Sequence, residues 1–431
     1  MESSHIIILL ILLGGLASYV PVFMCLFFTA VIGFLLFTDL PQLLLAQTLF
    51  RSLDNFSLVV VLFFILCGNI MTTGSIVEKL IKMANAVVSW LPGGLGMAGV
   101  MACALFGAIS GSTVATVVAL GGFMIPALLE KGYPKNYAVG LMTTSGNLGV
   151  IIPPSISMIL YCMISNVSLE GLFLTGYVPG ILITFLICIY TYFLFRKNTT
   201  IVRTPISSVG ELLAIFKEGF WSLMLPVIIF VGIFSGAFTA NEAAVVACVY
   251  ALIVELFIHR SMNLSQVKKV TVSSAVTSAT LLIIVAGASC FGRLLTLENI
   301  PGKITEAVLS TIQSPAVFLL AMNALLLVVG MFMDIISATL ILGPVFLPML
   351  AAFNIDPLHF GLLMTVNLAI GYCTPPVGVS LYITGAMVNK DLIWVTKACL
   401  PFLIIQISVL MLMTYVPDFV LWLPRMFGYV Q

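Results

Sequence analysis

Two Pro-Pro pairs, Pro153-Pro154 and Pro375-Pro376, interrupt long apolar sequence, the second at an offset of 222 from the first. The first lies in SGNLGVIIPPSISMILY (145–161) and the second in VNLAIGYCTPPVGVSLY (366–382). The same offset pairs Gly149 with Gly371, Met142 with Met364, Thr143 with Thr365, Gly121 with Gly343 and Pro126 with Pro348. Each pair of prolines predicts a helix broken in mid-course. In lipid such a break frees backbone amides and carbonyls that must find partners inside the protein. Matching breaks in two halves of one chain mark the binding region of a secondary transporter.

The setting is a membrane. Of 431 residues, 61% are hydrophobic and 8% charged, whereas soluble domains carry about 25% charged residues. A net charge of +1, with 17 Lys and Arg spread over the chain, offers no basic patch for nucleic acid. The nine cysteines lack CxxC pairs and read as small buried apolar residues. The three histidines are far apart, which argues against a His-based metal centre. The first apolar run has no basic residues ahead of it and reads as a retained membrane segment.

Taking about 20 apolar residues per crossing, spans are predicted near 5–37, 56–73, 171–195, 220–236, 238–258, 272–291 and 395–416. Two blocks, about 93–166 and 314–388, are apolar but punctuated by Gly, Ser, Thr, Asn and Pro. Each reads as a re-entrant hairpin of two short helices followed by the broken helix, with polar tips at Ser110–Thr113 and Asp334–Thr339. Segments 75–92 and 298–313 are amphipathic and read as interfacial arm helices. In the first, Ile76, Leu80, Met83 and Val87 form one face, with Glu78, Lys79 and Lys82 turned away. The linker 196–218 (Arg196, Lys197, Arg203, Lys217) and the loop 259–269 (Arg260, Lys268, Lys269) belong on the cytoplasmic side.

The expected organisation is an all-α polytopic protein of two repeats, expected to be inverted. Scaffold helices and the first arm occupy 1–92, and the first hairpin and broken helix 93–166. Scaffold, linker and second arm occupy 167–313, the second hairpin and break 314–388, and a C-terminal helix 389–431.

Neutral oxygen clusters suit Na+ in a releasable site, with unwound carbonyls as ligands and helix N-termini facing an anionic substrate. Site one would draw on Ser110, Ser112, Thr113, Ser145, Gly146, Asn147, Gly149 and Val150. Site two would draw on Asp334, Ser337, Thr339, Asn367, Gly371 and Thr374. The competing reading is that these small residues serve close helix packing. Asp334 is either a cation ligand, a proton carrier or a helix cap. Thr239 and Glu242 form a capping-box pattern. Arg293 either snorkels or binds a substrate carboxylate. Ser112, Thr113, Ser337 and Arg293 are the candidate substrate contacts. No nucleophile has a base beside it in sequence, so an intramembrane enzyme is the remote alternative.

At these residues the chain resembles the large membrane subunit of tripartite ATP-independent periplasmic (TRAP) transporters. The resemblance is carried by GAISGSTVAT (107–116), GGFMIPALLEKGYP (121–134), SGNLGVIIPPSISMILY (145–161), LFLTGYVPG (172–180), GAFTANEAA (236–244), GMFMDIISATLILGPVFLPML (330–350) and NIDPLHFGLLMTVNLAIGYCTPPVGVSLY (354–382). It covers essentially the whole chain. In GAFTANEAA, Ala-Asn stands where many members have Pro-Thr, which leaves the cap intact. The resemblance implies a multi-pass protein of the bacterial inner membrane working by an elevator mechanism, with symport driven by at least two Na+ and no ATP. It also implies a separate small four-helix membrane subunit and a soluble periplasmic binding protein. The implied substrate is an organic acid: sialic acid on overall similarity, with a C4-dicarboxylate or another sugar acid as the alternative. A carrier that needs no binding protein is the other alternative.

Overall fold

The computed structural model describes residues 3–18, 20–38, 41–197 and 208–430. Among them every regular element is helical. The chain begins α1 (Ser3–Ala17), α2 (Val22–Phe37), α3 (Leu43–Leu53), α4 (Leu58–Thr73) and α5 (Ile76–Val88). The expected span at 5–37 is thus two helices. Pro21 stands just ahead of α2, where it cannot continue a helix from the N-terminal side. α3 and α4 meet at a bend of 49°.

The first hairpin is α6 (Gly94–Ser110) and a second arm of α7 (Thr113–Thr116), a π-turn at Val117–Gly121 and α8 (Gly122–Glu130). The broken helix follows as α9 (Lys135–Ser145), α10 (Leu148–Ile151) and α11 (Ile156–Ser165), then α12 (Leu169–Phe195). Next come α13 (Val209–Phe234), α14 (Ala240–Ile253) with a π-turn at Val254–Ile258, α15 (Leu264–Leu297) and the second arm helix α16 (Ile300–Thr311). The second hairpin is α17 (Pro315–Phe332) and α18 (Ile335–Ala352). Its broken helix is α19 (Pro357–Gly371) and α20 (Val379–Val388), and α21 (Leu392–Tyr415) and α22 (Asp418–Met426) close the chain. Both Pro-Pro bonds are cis. Nine helical stretches among the described residues are long and apolar enough to cross a membrane, or ten if α3 and α4 count as one bent span.

Several boundaries differ from the sequence reading, each for a local reason. Ser208 and Glu211 form a capping box, so α13 starts at Val209 and Lys217 lies on a helix rather than in the linker. Arg203 lies outside the described residues. Asn263 and Gln266 cap α15 in the same way, which puts Lys268 and Lys269 on a 34-residue helix instead of in a loop. The hairpin arms are 17 or 18 residues, longer than the short arms expected, because Pro126, Pro344 and Pro348 are absorbed inside helices. A π-turn just before Pro126 relieves the backbone upstream of its ring. The C-terminal region holds two helices, since Val416-Pro417 ends α21. On α5, Ile76, Leu80 and Met83 are buried as expected, but Val87 is 44% exposed and Val88 takes its place.

Packing divides the bundle. α2, α3 and α4 gather around the long α15, and α14 joins them by packing on α4. The other group centres on the broken helices. α9 and α10 lie against both arms of the first hairpin, and α19 against both arms of the second, while α21 runs along α9 and α19. α5 joins the groups by packing on α6 and α13.

Candidate cation and substrate sites at the two helix breaks

At the first tip, Gly111 ends α6 with φ +62°, a conformation glycine adopts without strain. Ser112 is extended and caps the next helix, its hydroxyl accepting from Ala115 N at 3.4 Å. Thr116 Oγ1 donates to Ser112 O at 2.8 Å and lies 3.3 Å from Ser110 Oγ. The break reaches this tip directly: Ile156 N donates to Gly111 O at 3.3 Å. A methyl on Gly149 would overlap Thr116 Oγ1 and sit 2.7 Å from Ser112 O, and one on Gly146 would sit 3.4 Å from Thr113 O. Ser110, Ser112, Thr113, Gly146 and Gly149 are therefore brought together at this tip. Asn147 is fully buried: its Nδ2 donates to Gln406 Oε1 at 2.9 Å, Gln406 Nε2 donates to Thr144 O at 2.8 Å, and Asn147 Oδ1 lies 3.6 Å from the Cys373 thiol. Val150 is buried in the apolar core.

The second tip is built to the same plan. Asp334 is the repeat counterpart of Ser112 and takes the same capping role, its Oδ2 accepting from Ser337 N at 2.8 Å. Gly378, the counterpart of Ile156, donates its N–H to Met331 O at 3.2 Å. Tyr372 OH accepts from Ile335 N at 2.9 Å. The first-turn amides of α18 thus hold a carboxylate and a phenol of the chain itself, whereas a neutral Ser caps α7. Of the readings open for Asp334, the structure shows the cap. Thr339 Oγ1 donates to Ile335 O at 2.7 Å and Thr374 Oγ1 to Ile370 O at 3.0 Å, which leaves their lone pairs free.

The glycines have a packing reason to be there. A methyl on Gly371 would lie 2.6 Å from Gly330 Cα, and one on Gly107 would lie 2.8 Å from Gly149 Cα. In each half a hairpin arm crosses the broken helix backbone to backbone, the small-residue contact of membrane helices.

What distinguishes the two places is unmet polarity. Among the described residues, eight buried side-chain polar atoms lack a partner, and five belong here: Thr113 Oγ1 and Ser145 Oγ at the first break, Ser337 Oγ, Asn367 Oδ1 and Ser380 Oγ at the second. A buried acceptor left bare costs about 1–3 kcal/mol. Five in two clusters are the donor set of hard oxygens that suits a cation such as Na+. No group of three or more His, Cys, Asp or Glu that could hold a metal occurs among the described residues, so the set is almost wholly neutral oxygen.

Arg293 is not brought to either tip. It projects from α15 into a cavity of about 390 Å³ whose other wall includes Met163, Ile164, Leu340 and Pro344 from α11 and α18. Among the described residues it is the only charged one lining that cavity. It is exposed and lies four residues before the end of α15, a place that fits snorkelling as well as a carboxylate contact. Sequence reasoning missed Ser380, Tyr372 and Gln406. A Gln inside an otherwise apolar span was the readable signal for the last.

Paired hairpins and paired broken helices enclosing buried oxygens define a secondary-transporter architecture. The crystal structure of the YdaH transporter of Alcanivorax borkumensis shares the fold, with a TM-score of 0.61 at 16% identity over 86% of this chain and 88% of that one. The model of the tripartite ATP-independent periplasmic transporter DctM component matches residues 8–419, and the chain belongs to that family, the large inner-membrane subunits of TRAP transporters. It is 41% identical over 384 residues (89% of this chain, 90% of the relative) to the C4-dicarboxylate TRAP transporter large permease protein DctM of Pseudomonas aeruginosa. It is 37% identical over 439 residues (99% and 100%) to the protein so named in Rhodobacter capsulatus. It is 35% identical over 421 residues (97% and 98%) to the sialic acid TRAP transporter large permease protein SiaM of Vibrio cholerae.

Proposed function

We propose that the chain is the translocating subunit of a Na+-coupled importer whose substrate is a small dicarboxylate. The observation that carries the coupling is the set of bare, buried oxygens at the two breaks. Thr113, Ser145 and the carbonyls around Gly146 would hold one Na+, and Ser337, Asn367 and Ser380 another. Bound Na+ supplies positive charge that the neutral site lacks. The chain's own part is to present these oxygens, to tie each tip to its break through the Ile156–Gly111 and Gly378–Met331 bonds, and to exclude water. The Arg293 guanidinium suits a substrate carboxylate by its fork geometry. The Asp334 carboxylate disfavours an anion at the second tip, so of the two hairpin N-termini the first is the better carboxylate partner.

A dicarboxylate is preferred to sialic acid because the relatives of higher identity carry that name. Sialic acid is the second reading, supported by the SiaM relative that matches over nearly the whole chain. Movement of the broken-helix group against the α15 group, with the Arg293 cavity between them, is the elevator step of this reading. A small membrane subunit and a soluble periplasmic binding protein complete the system. The isethionate TRAP transporter permease protein DctMQ of Oleidesulfovibrio alaskensis, of which this chain spans 60%, has length to spare for a fused partner.

The test is uptake of labelled succinate, fumarate and sialic acid into proteoliposomes holding both membrane subunits, with and without a Na+ gradient and the binding protein. Dicarboxylate uptake that needs both supports the proposal. Sialic acid uptake alone replaces the substrate, uptake without the binding protein removes that partner, and uptake indifferent to Na+ removes the coupling. Arg293→Lys should raise the substrate concentration for half-maximal uptake and leave Na+ dependence unchanged.

A further inference from the structure

We infer that Asn323 and Thr414 are positioning residues that hold the Asn367 side chain with its carbonyl oxygen bare and facing the second cation site. The inference rests on reading that site as a Na+ site.

The three side chains form one buried chain across three helices, with Asn323 on α17, Asn367 on α19 and Thr414 on α21. Thr414 Oγ1 donates to Leu410 O at 2.7 Å, which uses its only proton. The hydroxyl must therefore accept from its other neighbour, Asn323 Nδ2, at 2.8 Å. Asn323 has its amino group committed there and turns Oδ1 toward Asn367, whose Nδ2 donates to it at 2.8 Å. The same Nδ2 donates to Leu363 O at 2.8 Å. A backbone carbonyl accepts only, so each end of the chain fixes its direction independently. With both amino protons of Asn367 spent, Oδ1 is left without a partner in a fully buried place.

Orientation decides what the amide can do. Turned as it is, Asn367 offers a cation a full carbonyl dipole. Turned over, it would aim two N–H groups at the site and repel a cation. Asn323 and Thr414 contribute no ligand atom and act only by excluding the second orientation. At the first break α21 holds the other amide in the same manner, Gln406 accepting from Asn147 Nδ2. One helix thus sets the amide side chains at both breaks.

The experiment is thermal unfolding of the full-length chain in lipid nanodiscs, with Na+ titrated against K+ at constant ionic strength. The readout is the Na+ midpoint of stabilisation. Thr414→Val keeps the shape and removes the acceptor, and Asn323→Ala cuts the chain one link closer to the site. Each should raise the midpoint about tenfold, the lower end of what loss of an outer-shell partner costs a metal site. Thr414→Ser should restore it. A merely structural role would lower the unfolding temperature equally in Na+ and K+ with no change of midpoint, and that result overturns the inference. Ser337→Ala separates the two levels. If it raises the midpoint while Thr414→Val and Asn323→Ala do not, the cation site stands and the positioning role falls. If the wild-type chain shows no Na+ stabilisation, the cation reading fails and this inference with it.

Discussion

Replacing Gly74 with Ala should destabilise the protein in its native background and stabilise it once Glu255 is gone. Glu255 is fully buried in the π-turn that ends α14. Its Oε1 accepts from Ser75 N and Ile76 N, both at 2.8 Å, and its Oε2 from Ser75 Oγ at 3.2 Å and from Ser261 Oγ. The carboxylate thereby satisfies the first amides of arm helix α5 and pins that helix to the α15 group. Hydrogen bonds to a charged group are each worth about 1.5–3 kcal/mol, so removing two amide partners with Glu255→Ala should cost about 4 kcal/mol. Gly74 is extended (φ −86°, ψ −152°), so its backbone asks for no glycine. Its space does: the three atoms nearest a built methyl all belong to the Glu255 carboxyl group and overlap it. Gly74→Ala must push out a carboxylate held at four points, at about 3 kcal/mol, less the ~0.5 kcal/mol that Ala gains by restricting the unfolded chain. With Glu255→Ala already present the methyl has room, and only that small gain remains. The expected sign reversal corresponds to a coupling of about 3 kcal/mol between contacting residues. Unfolding of the four proteins in mixed micelles of rising denaturing-detergent fraction measures it. A double variant whose cost is the plain sum of the two single costs, or a neutral Gly74→Ala, would refute the pinned-carboxylate argument.

Beside this joint, His259 Nδ1 sits 3.1 Å from Ser75 Oγ, and burial, aided by the Lys79 cation, holds its pKa below the usual imidazole value. Its contribution is present above the unfolded value near 6.5 and is lost as pH falls toward the lower folded value. Unfolding midpoints should therefore drop between pH 7 and 5, and His259→Gln should flatten that slope. Gly371→Ala forces α17 and α19 apart at their backbone crossing and should cost about 2 kcal/mol; the same substitution at Gly14, a helical position where a methyl meets nothing within 4 Å, tests the steric cause. Asp334→Asn keeps a good N-cap but removes the charge, so unfolding in K+ should hold within about 0.5 kcal/mol while the Na+ midpoint rises. An unchanged midpoint would leave Asp334 a cap alone.

The Pro-Pro offset made the breaks legible, and Ser-Gly-Ser-Thr and Asp334 marked the tips, because a membrane leaves few reasons for polarity at depth. The Thr239–Glu242 box was legible too, since both members lie within one turn. The common role of Ser112 and Asp334 was also written in the offset, hidden by the difference in side chain. Partners far off in sequence were not legible. Asn147 was legible as a polar residue at the break, but not that Gln406, on a helix much later in the chain, accepts from its amide nitrogen. Helix lengths were misjudged where proline sits inside a helix and the backbone yields to it, as at Pro126 and Pro348. The position of Arg293 near the end of a helix was legible, but the cavity it lines was not, because that cavity is completed by α11 and α18.

The two breaks, so alike in sequence, are not alike in their surroundings. Pro153, Pro154 and Ser155 are buried, whereas Pro375, Pro376 and Val377 are exposed. Ser155 and Val377 occupy one position of the repeat, at 0% and 45% exposure. That pair is a built-in reporter. In a chain stripped of its native cysteines, a thiol at 377 should react with a water-soluble maleimide while a thiol at 155 stays silent. Any condition that brings the second thiol into reach would register a rearrangement of the two halves, without the need to follow a substrate at all.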